Sequence, residues 1–414
     1  MQEIRDLVRA AAEKARQETS EEPEPKFTGT VEFPVDCAVG RGLEGAIATD
    51  TKIGYVNGTK GWLVYRGYEI FDLAQFSTFE ETSYLLLYGK LPTSSELAAF
   101  DKKLKEYRNV PASVIQVLKE MPIKDTHPMS ALRTAVSFLG NLDGTADDTS
   151  VEAEREVSIK LIALFPALAG AVARLRKGQE PVQPKGDHTL AQTLLYTMTG
   201  KEPDELNARL MDINLILHAD HGMNASTFTT MVCNSSLSDM YGSVVAGIAS
   251  LKGPLHGGAN EQVLYTLEEI GSEGNVEPWY EKARAEKRKI MGMGHRVYKA
   301  YDPRARILGP LAAALCEDHP EVAEIYKIAV KLEKIVTDQL GAEKKIFPNV
   351  DYYSGIVYRA MGIETAMFTP IFAVSRVSGW TARALEYLET NRIFRPRAIY
   401  TGPVAAEYVP IEKR

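Results

Sequence analysis

Apolar residues fall at helical spacing along most of this chain, and the polar residues between them read as caps and turns. The exception comes early. Residues 53–65 (IGYVNGTKGWLVY) hold two β-prone runs on either side of Asn57-Gly58, a pair favoured in tight hairpin turns. Beyond it the pattern predicts helices. Thr78-Phe-Glu-Glu81 is a capping-box sequence for a helix that stops at Gly89, and Thr93-Ser-Ser-Glu96 repeats the device for one through Tyr107. Pro128 opens a helix through Ser137 and Leu139. The acidic run 147–156 leads into a long apolar helix, 157–176, with Pro166 as a candidate kink. Residues 178–186 (GQEPVQPKG) read as a loop, and Asp204 caps a helix to about His218. Residues 225–251 read as one longer helix, with small and apolar residues over so much of its circumference that burial on many sides is expected, in a subunit interface or in the chain's own core. Further helices are expected at 261–271, 279–289, 311–316, 322–340, 351–361 and 374–391, with a loop at 271–278 and a basic turn at 344–348.

The first 26 residues have another texture. Residues 1–17 predict an amphipathic helix and 18–26 (ETSEEPEPK) a polar, proline-bearing linker, together a loosely tethered arm. The changes at Gly257 and Gly362 mark candidate domain boundaries: a large domain of 27–256 and 362–414, with a smaller one, 257–361, inserted. A chain of 414 residues is long enough for both.

Composition narrows the class without naming a function. A hydrophobic share of 45% and a charged share of 25% are those of an ordinary soluble protein. A formal net charge of −7 argues against a general nucleic-acid or membrane-surface binder. The three cysteines, Cys37, Cys233 and Cys316, have no CxxC spacing, which points to a reducing, cytoplasmic setting and away from a disulfide framework. No apolar run approaches the roughly 18 residues of a membrane span. Glu3, Asp6 and Glu13 speak against a transit peptide.

Chemistry concentrates in the second half. In Lys252-Gly-Pro-Leu-His-Gly-Gly-Ala-Asn260, His256 sits between a proline and two glycines that let a ligand approach the backbone closely. An incidental histidine at a helix corner fits the same residues. His295 follows Met291-Gly292-Met293-Gly294, a loop with donors for a heteroaromatic ring or phosphates, although it is no GxxxxGK[ST] phosphate loop. Asp351, in Pro348-Asn-Val-Asp351, stands beside two tyrosines. It reads either as a desolvated base or, by its local signals, as a helix N-cap. His218 and His221 fall at i,i+3, on one face of a helix, without the glutamate or third ligand that a zinc site needs. Positive charge gathers at Lys289, Arg296, Lys299, Arg304 and Arg306, and Arg376 and Arg395 lie in apolar company. Arginine forks suit carboxylates, so a polycarboxylate ligand is indicated, with surface salt bridges the bland account of any single one.

The ordered set of motifs resembles citrate synthase. It comprises His218-Ala-Asp-His-Gly-Met-Asn-Ala-Ser226, Gly253-Pro-Leu-His-Gly-Gly-Ala-Asn260, Gly294-His-Arg-Val-Tyr-Lys299 with Asp302-Pro-Arg304, and Pro348-Asn-Val-Asp351 before Ser354-Gly355. Gly42-Leu-Glu-Gly45, Tyr65-Arg-Gly-Tyr68 and His127-Pro-Met-Ser-Ala-Leu-Arg-Thr134 fit as well, so the resemblance spans about residues 40–410. It implies a mainly α, two-domain citrate synthase-like fold with a short N-terminal β-hairpin, and a homodimer whose active site is shared between subunits. It implies condensation of acetyl-CoA with oxaloacetate and hydrolysis of citryl-CoA, the first step of the tricarboxylic acid cycle. By motif, Asp351 resembles the base that removes the methyl proton, and His256 the donor to the thioester oxygen. His295 resembles the acid that polarises the ketone. His221, Arg304 and Arg376 resemble oxaloacetate ligands, and Arg395 the arginine contributed across the dimer. Met291, Gly292, Met293, Gly294, Lys299, Lys344 and Asn349 fall where the family binds coenzyme A. No metal and no permanently bound cofactor are implied; coenzyme A enters as part of its substrate. Two rivals share the motifs: a 2-methylcitrate synthase, which uses propionyl-CoA, and a catalytically idle structural relative. One methylene separates the two acyl groups, worth only about 1–3 kcal/mol of discrimination. The His-Ala-Asp-His-Gly-Met-Asn form favours the citrate enzyme.

Overall fold

The β-prone runs pair as expected, but through a different turn. In the computed structural model, which describes residues 41–43, 46–396, 402 and 407–414, β1 (Gly54–Asn57) pairs antiparallel with β2 (Trp62–Tyr65), and β2 with β3 (Tyr68–Glu69). Gly54 lies opposite Tyr65 and Asn57 opposite Trp62, so the connection is a four-residue loop and not the tight turn predicted on Asn57-Gly58. Asn57 Oδ1 accepts from the Lys60 N–H at 3.0 Å, and the left-handed residue is Gly61, at φ 64°. Gly58 is needed for a tertiary reason: a Cβ there would lie 1.9 Å from the Val297 carbonyl oxygen. The Lys299 N–H donates to the Gly58 carbonyl at 2.8 Å, which pins the hairpin tip to the backbone beyond His295.

The chain divides into two units, 1–50 and 51–414. In the first, a 3-10 turn spans Arg41–Leu43; the arm and linker expected at 1–26 lie outside the described residues. Among its described residues the second is mainly helical, with the three short strands at its start. Its first half contains α1 (Ile70–Phe76), α2 (Phe79–Tyr88), α3 (Ser94–Tyr107), α4 (Ala112–Glu120), α5 (Pro128–Leu142), α6 (Val151–Arg176), α7 (Leu190–Thr199) and α8 (Glu205–His218). Then come α9 (Ala225–Asn234), α10 (Met240–Leu251), α11 (Ala259–Ile270), α12 (Val276–Ala285), α13 (Pro303–Asp318), α14 (Pro320–Val336), α15 (Val350–Ala360) and α16 (Phe368–Leu388).

The capping sequences perform largely as read. Thr93 and Glu96 form the complete reciprocal box on α3. Thr78 caps α2 through the Glu81 N–H, but the Glu81 carboxylate accepts from Ser77 Oγ at 2.7 Å instead of reaching back to Thr78. The later part of the acidic run is itself helical, since Ser150 caps α6 and Glu152 and Glu154 occupy its first turn. That helix is long and apolar enough to cross a membrane by composition, contrary to the sequence reading, yet 89% of its apolar window is buried within the protein. The single helix expected over 225–251 is two. α9 ends where Ser235 and Ser236 bond back to carbonyls of its last turn, Leu237 turns left-handed at φ 62°, and Asp239 caps α10 through the Gly242 N–H. α1, α4 and α7 were not anticipated, and α12 and α13 begin earlier than predicted.

The helix that organises the rest is α16, buried at every position from Phe368 to Leu385 and packed on α2, α6, α8, α9 and α10. Gly379 lets it pass the end of α8, because a Cβ there would meet the Ala219 carbonyl oxygen at 2.2 Å. Helices α11 to α15 pack chiefly on one another, with α11 also reaching α16 and α13 reaching α1 and α8.

Candidate active site

The segment after α8 is shaped by one buried phenol. The Tyr65 hydroxyl lies 2.8 Å from the Asp220 carbonyl and 3.2 Å from both the Ile216 carbonyl and the Asp220 N–H. Asp220 in turn takes a two-pronged ion pair from Arg383 of α16, at 2.7 and 2.8 Å. Because α8 ends at His218, the two histidines do not share a helix face as predicted. His218 turns inward, its Nδ1 2.8 Å from the Asn214 carbonyl, whereas His221 lies past the helix end with its Nε2 3.2 Å from the Tyr298 hydroxyl. Among the described residues no group of three His, Cys, Asp or Glu side chains converges as a metal-ligand set.

His295 approaches from the other side, its ring centre 5.1 Å from that of His221. Its Nδ1 accepts from the Val297 and Tyr298 N–H groups at 3.0 and 3.3 Å. Backbone N–H can only donate, so Nδ1 carries the lone pair and the ring proton sits on Nε2. Asp302, quoted in the sequence only as part of a motif, joins the two helix starts here. It caps α13, accepts from Arg304 Nε and Nη2 at 3.0 and 2.7 Å, and receives the Val350 N–H of α15 at 3.3 Å.

Asn349, and not Asp351, is the N-cap of α15: its Oδ1 accepts the Asp351 N–H at 3.0 Å. Its Nδ2 donates to the Gly294 carbonyl at 2.9 Å, and its own N–H to the Gly292 carbonyl at 2.9 Å. Both ends of the amide are thus engaged within the protein, clamping the 291–294 loop to the start of α15. Freed from capping, Asp351 keeps its carboxylate for other work, and Oδ1 is buried without a hydrogen-bond partner among the described residues.

His256 comes from the turn between α10 and α11. Its Nε2 accepts from the Ser226 N–H at 3.2 Å and lies 2.7 Å from Ser226 Oγ, which also receives the Trp380 indole N–H at 3.0 Å. The same logic puts the His256 proton on Nδ1.

Burial sets the charges. It pushes Asp351 up to about 7 against the pull of Arg304, and brings both His256 and His295 down to about 4. The charge of Arg376 adds to the effect on His256, and that of Arg304 to the effect on His295. Burial, then Arg304, holds His221 well below the ordinary imidazole range. Burial would also lower Arg304, but the charge and hydrogen bonds of Asp302 outweigh it. Arg376 has no carboxylate partner among the described residues. Burial lowers it to about 10, its Nε donates to the His218 carbonyl at 2.6 Å, and it lies over Phe372. A buried cation without a carboxylate is costly for folding alone, and an anionic ligand would satisfy it.

The two buried arginines link the group: the charge of Arg304 acts on His221, His295 and Asp351, and that of Arg376 on His221, Asp351 and His256. Two neutral imidazoles with assigned protons and one carboxylate able to take a proton near neutrality suffice for concerted acid–base catalysis. Arg395 stands apart, exposed on the segment after α16, where the neighbouring Phe394 N–H donates to Ser235 Oγ at 3.2 Å. Ser235 follows the last turn of α9 and Ser226 begins it, about 13 Å apart along the axis. Lys299 and Lys344 are exposed. Sequence reasoning held Tyr65, Asp220, Ser226 and Tyr298 only as members of motifs, without a role, and passed over Arg383, because nothing local marks their contacts with residues far along the chain.

Residues 42–397 match the model of the citrate synthase C-terminal domain family. The chain is 48% identical to a citrate synthase of Deinococcus radiodurans, over 91% of this chain and 99% of that one. It is 39% identical to a 2-methylcitrate synthase of Shewanella oneidensis, over 91% of this chain and 98% of the relative. Among solved structures, a Thermoplasma acidophilum citrate synthase in ternary complex with carboxymethyl coenzyme A and oxaloacetate superposes with TM-score 0.87 at 36% identity, covering 91% of this chain and 99% of that one.

Proposed function

The chain belongs to the citrate synthase family, and on that premise we propose that it condenses acetyl-CoA with oxaloacetate and hydrolyses the citryl thioester to citrate and coenzyme A. The observation that carries the reading is the protonation pattern. Asp351 sits near 7 while His256 and His295 are neutral, with their protons on Nδ1 and Nε2.

A thioester methyl proton is weakly acidic, so a carboxylate removes it only if the charge growing on oxygen is met at once. Asp351 takes the proton and His256 Nδ1–H donates to the thioester oxygen. The resulting nucleophilic carbon attacks the oxaloacetate ketone. His295 Nε2–H donates to the ketone oxygen as negative charge grows there, and the proton that Asp351 took from the methyl group matches the one the citryl hydroxyl gains, so both imidazoles end neutral. His221, Arg304 and Arg376 hold the dicarboxylate in line for that attack, with Arg376 gaining the counter-charge its burial demands. Water then hydrolyses the thioester. Coenzyme A enters as substrate along Met291–Gly294, Lys299 and Lys344, with Asn349 fixing that loop.

We assign residues 257–361 to a small domain that closes on the large one, which the mutual packing of α11 to α15 supports. The exposed setting of Arg395 supports a homodimer in which the partner subunit's Arg395 completes the site. A cytoplasmic location follows from the sparse cysteines.

The test is release of coenzyme A thiol with oxaloacetate, comparing kcat/KM for acetyl-CoA and propionyl-CoA. A preference for acetyl-CoA is expected. A preference for propionyl-CoA would favour the 2-methylcitrate reading, which the 39% identical relative keeps in view. No release with either acyl-CoA would overturn the enzyme reading.

A further inference from the structure

Tyr298 takes no part in the chemistry set out above, yet it touches both histidines beside the buried arginines. It is 2% exposed, its ring centre lies 5.4 Å from that of His221 and 5.1 Å from that of His295, and the Arg304 guanidinium sits 6.0 Å over the ring. Its backbone N–H reaches His295 Nδ1 at 3.3 Å and its hydroxyl reaches His221 Nε2 at 3.2 Å.

We propose that Tyr298 is a positioning residue for the substrate: its hydroxyl donates to His221 Nε2 and so keeps the His221 proton on Nδ1, while its N–H keeps the His295 proton on Nε2. The ligand so oriented is oxaloacetate, an identity that rests on the citrate synthase reading. A phenol is a better acid and a far weaker base than imidazole, so in this pair the hydroxyl gives and the ring nitrogen accepts. Burial keeps the phenol protonated at any working pH, and burial beside Arg304 keeps the imidazole neutral. His221 Nδ1 makes no hydrogen bond to the described residues, so its N–H is available to a ligand oxygen. Were the ring free to change tautomer, Nδ1 would turn a lone pair on a dianion that arginines had already drawn in.

Tyr298→Phe tests this directly, since it removes the hydroxyl but keeps the ring and the N–H that serves His295. With thiol release as the assay, KM for oxaloacetate should rise about tenfold. KM for acetyl-CoA and kcat at saturating oxaloacetate should stay within about twofold, with the thermal midpoint unchanged. A purely structural role would raise both KM values and lower the midpoint, and that result, or an unchanged KM for oxaloacetate, overturns the proposal. Nitrogen-15 NMR of histidine-labelled wild-type protein reports the tautomer of His221 without any variant. The Nδ1-protonated form supports the proposal and the Nε2-protonated form overturns it, whether or not Tyr298→Phe folds. Absence of thiol release by the wild-type enzyme would count against the citrate synthase reading, and the NMR measurement would still decide the hydroxyl's role.

Discussion

Asp351→Asn should stabilise the protein while abolishing condensation. Burial raises this carboxyl from its ordinary 3.8 to about 7. Between those values the folded chain binds more protons than the unfolded one, so stability is lost as pH rises through that window and the loss is complete above it. The full shift corresponds to about 4 kcal/mol. Asp351 is only partly buried by area, and screening reduces the effect to roughly 1–3 kcal/mol. Asparagine cannot ionise and escapes the loss. Thermal midpoints of wild type and variant, measured from about pH 4.5 to about pH 8.5 at constant ionic strength, should nearly coincide at the acid end and diverge through the window, with the variant higher above about pH 7. The wild-type kcat/KM for acetyl-CoA should rise over the same range, since the base acts in its deprotonated form. A gap that does not change with pH, or a variant less stable at about pH 8, would refute the claim that the Asp351 carboxylate is desolvated.

Three further outcomes follow from the contacts described. Asn349→Ala removes a cap worth about 1 kcal/mol and releases the 291–294 loop, so KM for acetyl-CoA should rise and kcat fall together; a change in the thermal midpoint alone would leave Asn349 a cap and nothing more. Gly58→Ala, driven into the Val297 carbonyl, should cost roughly 1–3 kcal/mol by denaturant melting and weaken substrate binding through the segment that carries His295; wild-type behaviour would show that the hairpin tip yields freely. Arg395→Ala should weaken oxaloacetate binding, and mixing it with Asp351→Asn should restore part of the activity in mixed dimers, as a shared site requires; verified mixed dimers without activity would argue against sharing.

Much of the site was legible because its chemistry is carried by short motifs whose glycines and prolines are local features. His256, His295, Arg304, Arg376 and Asp351 were all picked out from sequence, and each is found where charges act on one another across the fold. Local signals leave Asp351 open between a base and an N-cap, because an aspartate before a helix resembles a cap; two residues earlier Asn349 holds that place. The 225–251 segment looked continuous because apolar content is the same on both sides of 235–239, and only the reversal at Leu237 separates the helices.

Helical class, the hairpin strands and several helix starts follow from residue type and spacing alone, since caps and periodicity act within a few neighbours. Which nitrogen of each histidine holds its proton, how far Asp351 is pushed from its ordinary range and that Arg376 meets no carboxylate among the described residues were decided only by tertiary structure. Those properties depend on burial and on partners such as Ser226, Tyr298 and Asp302, brought into place by packing that no local pattern encodes.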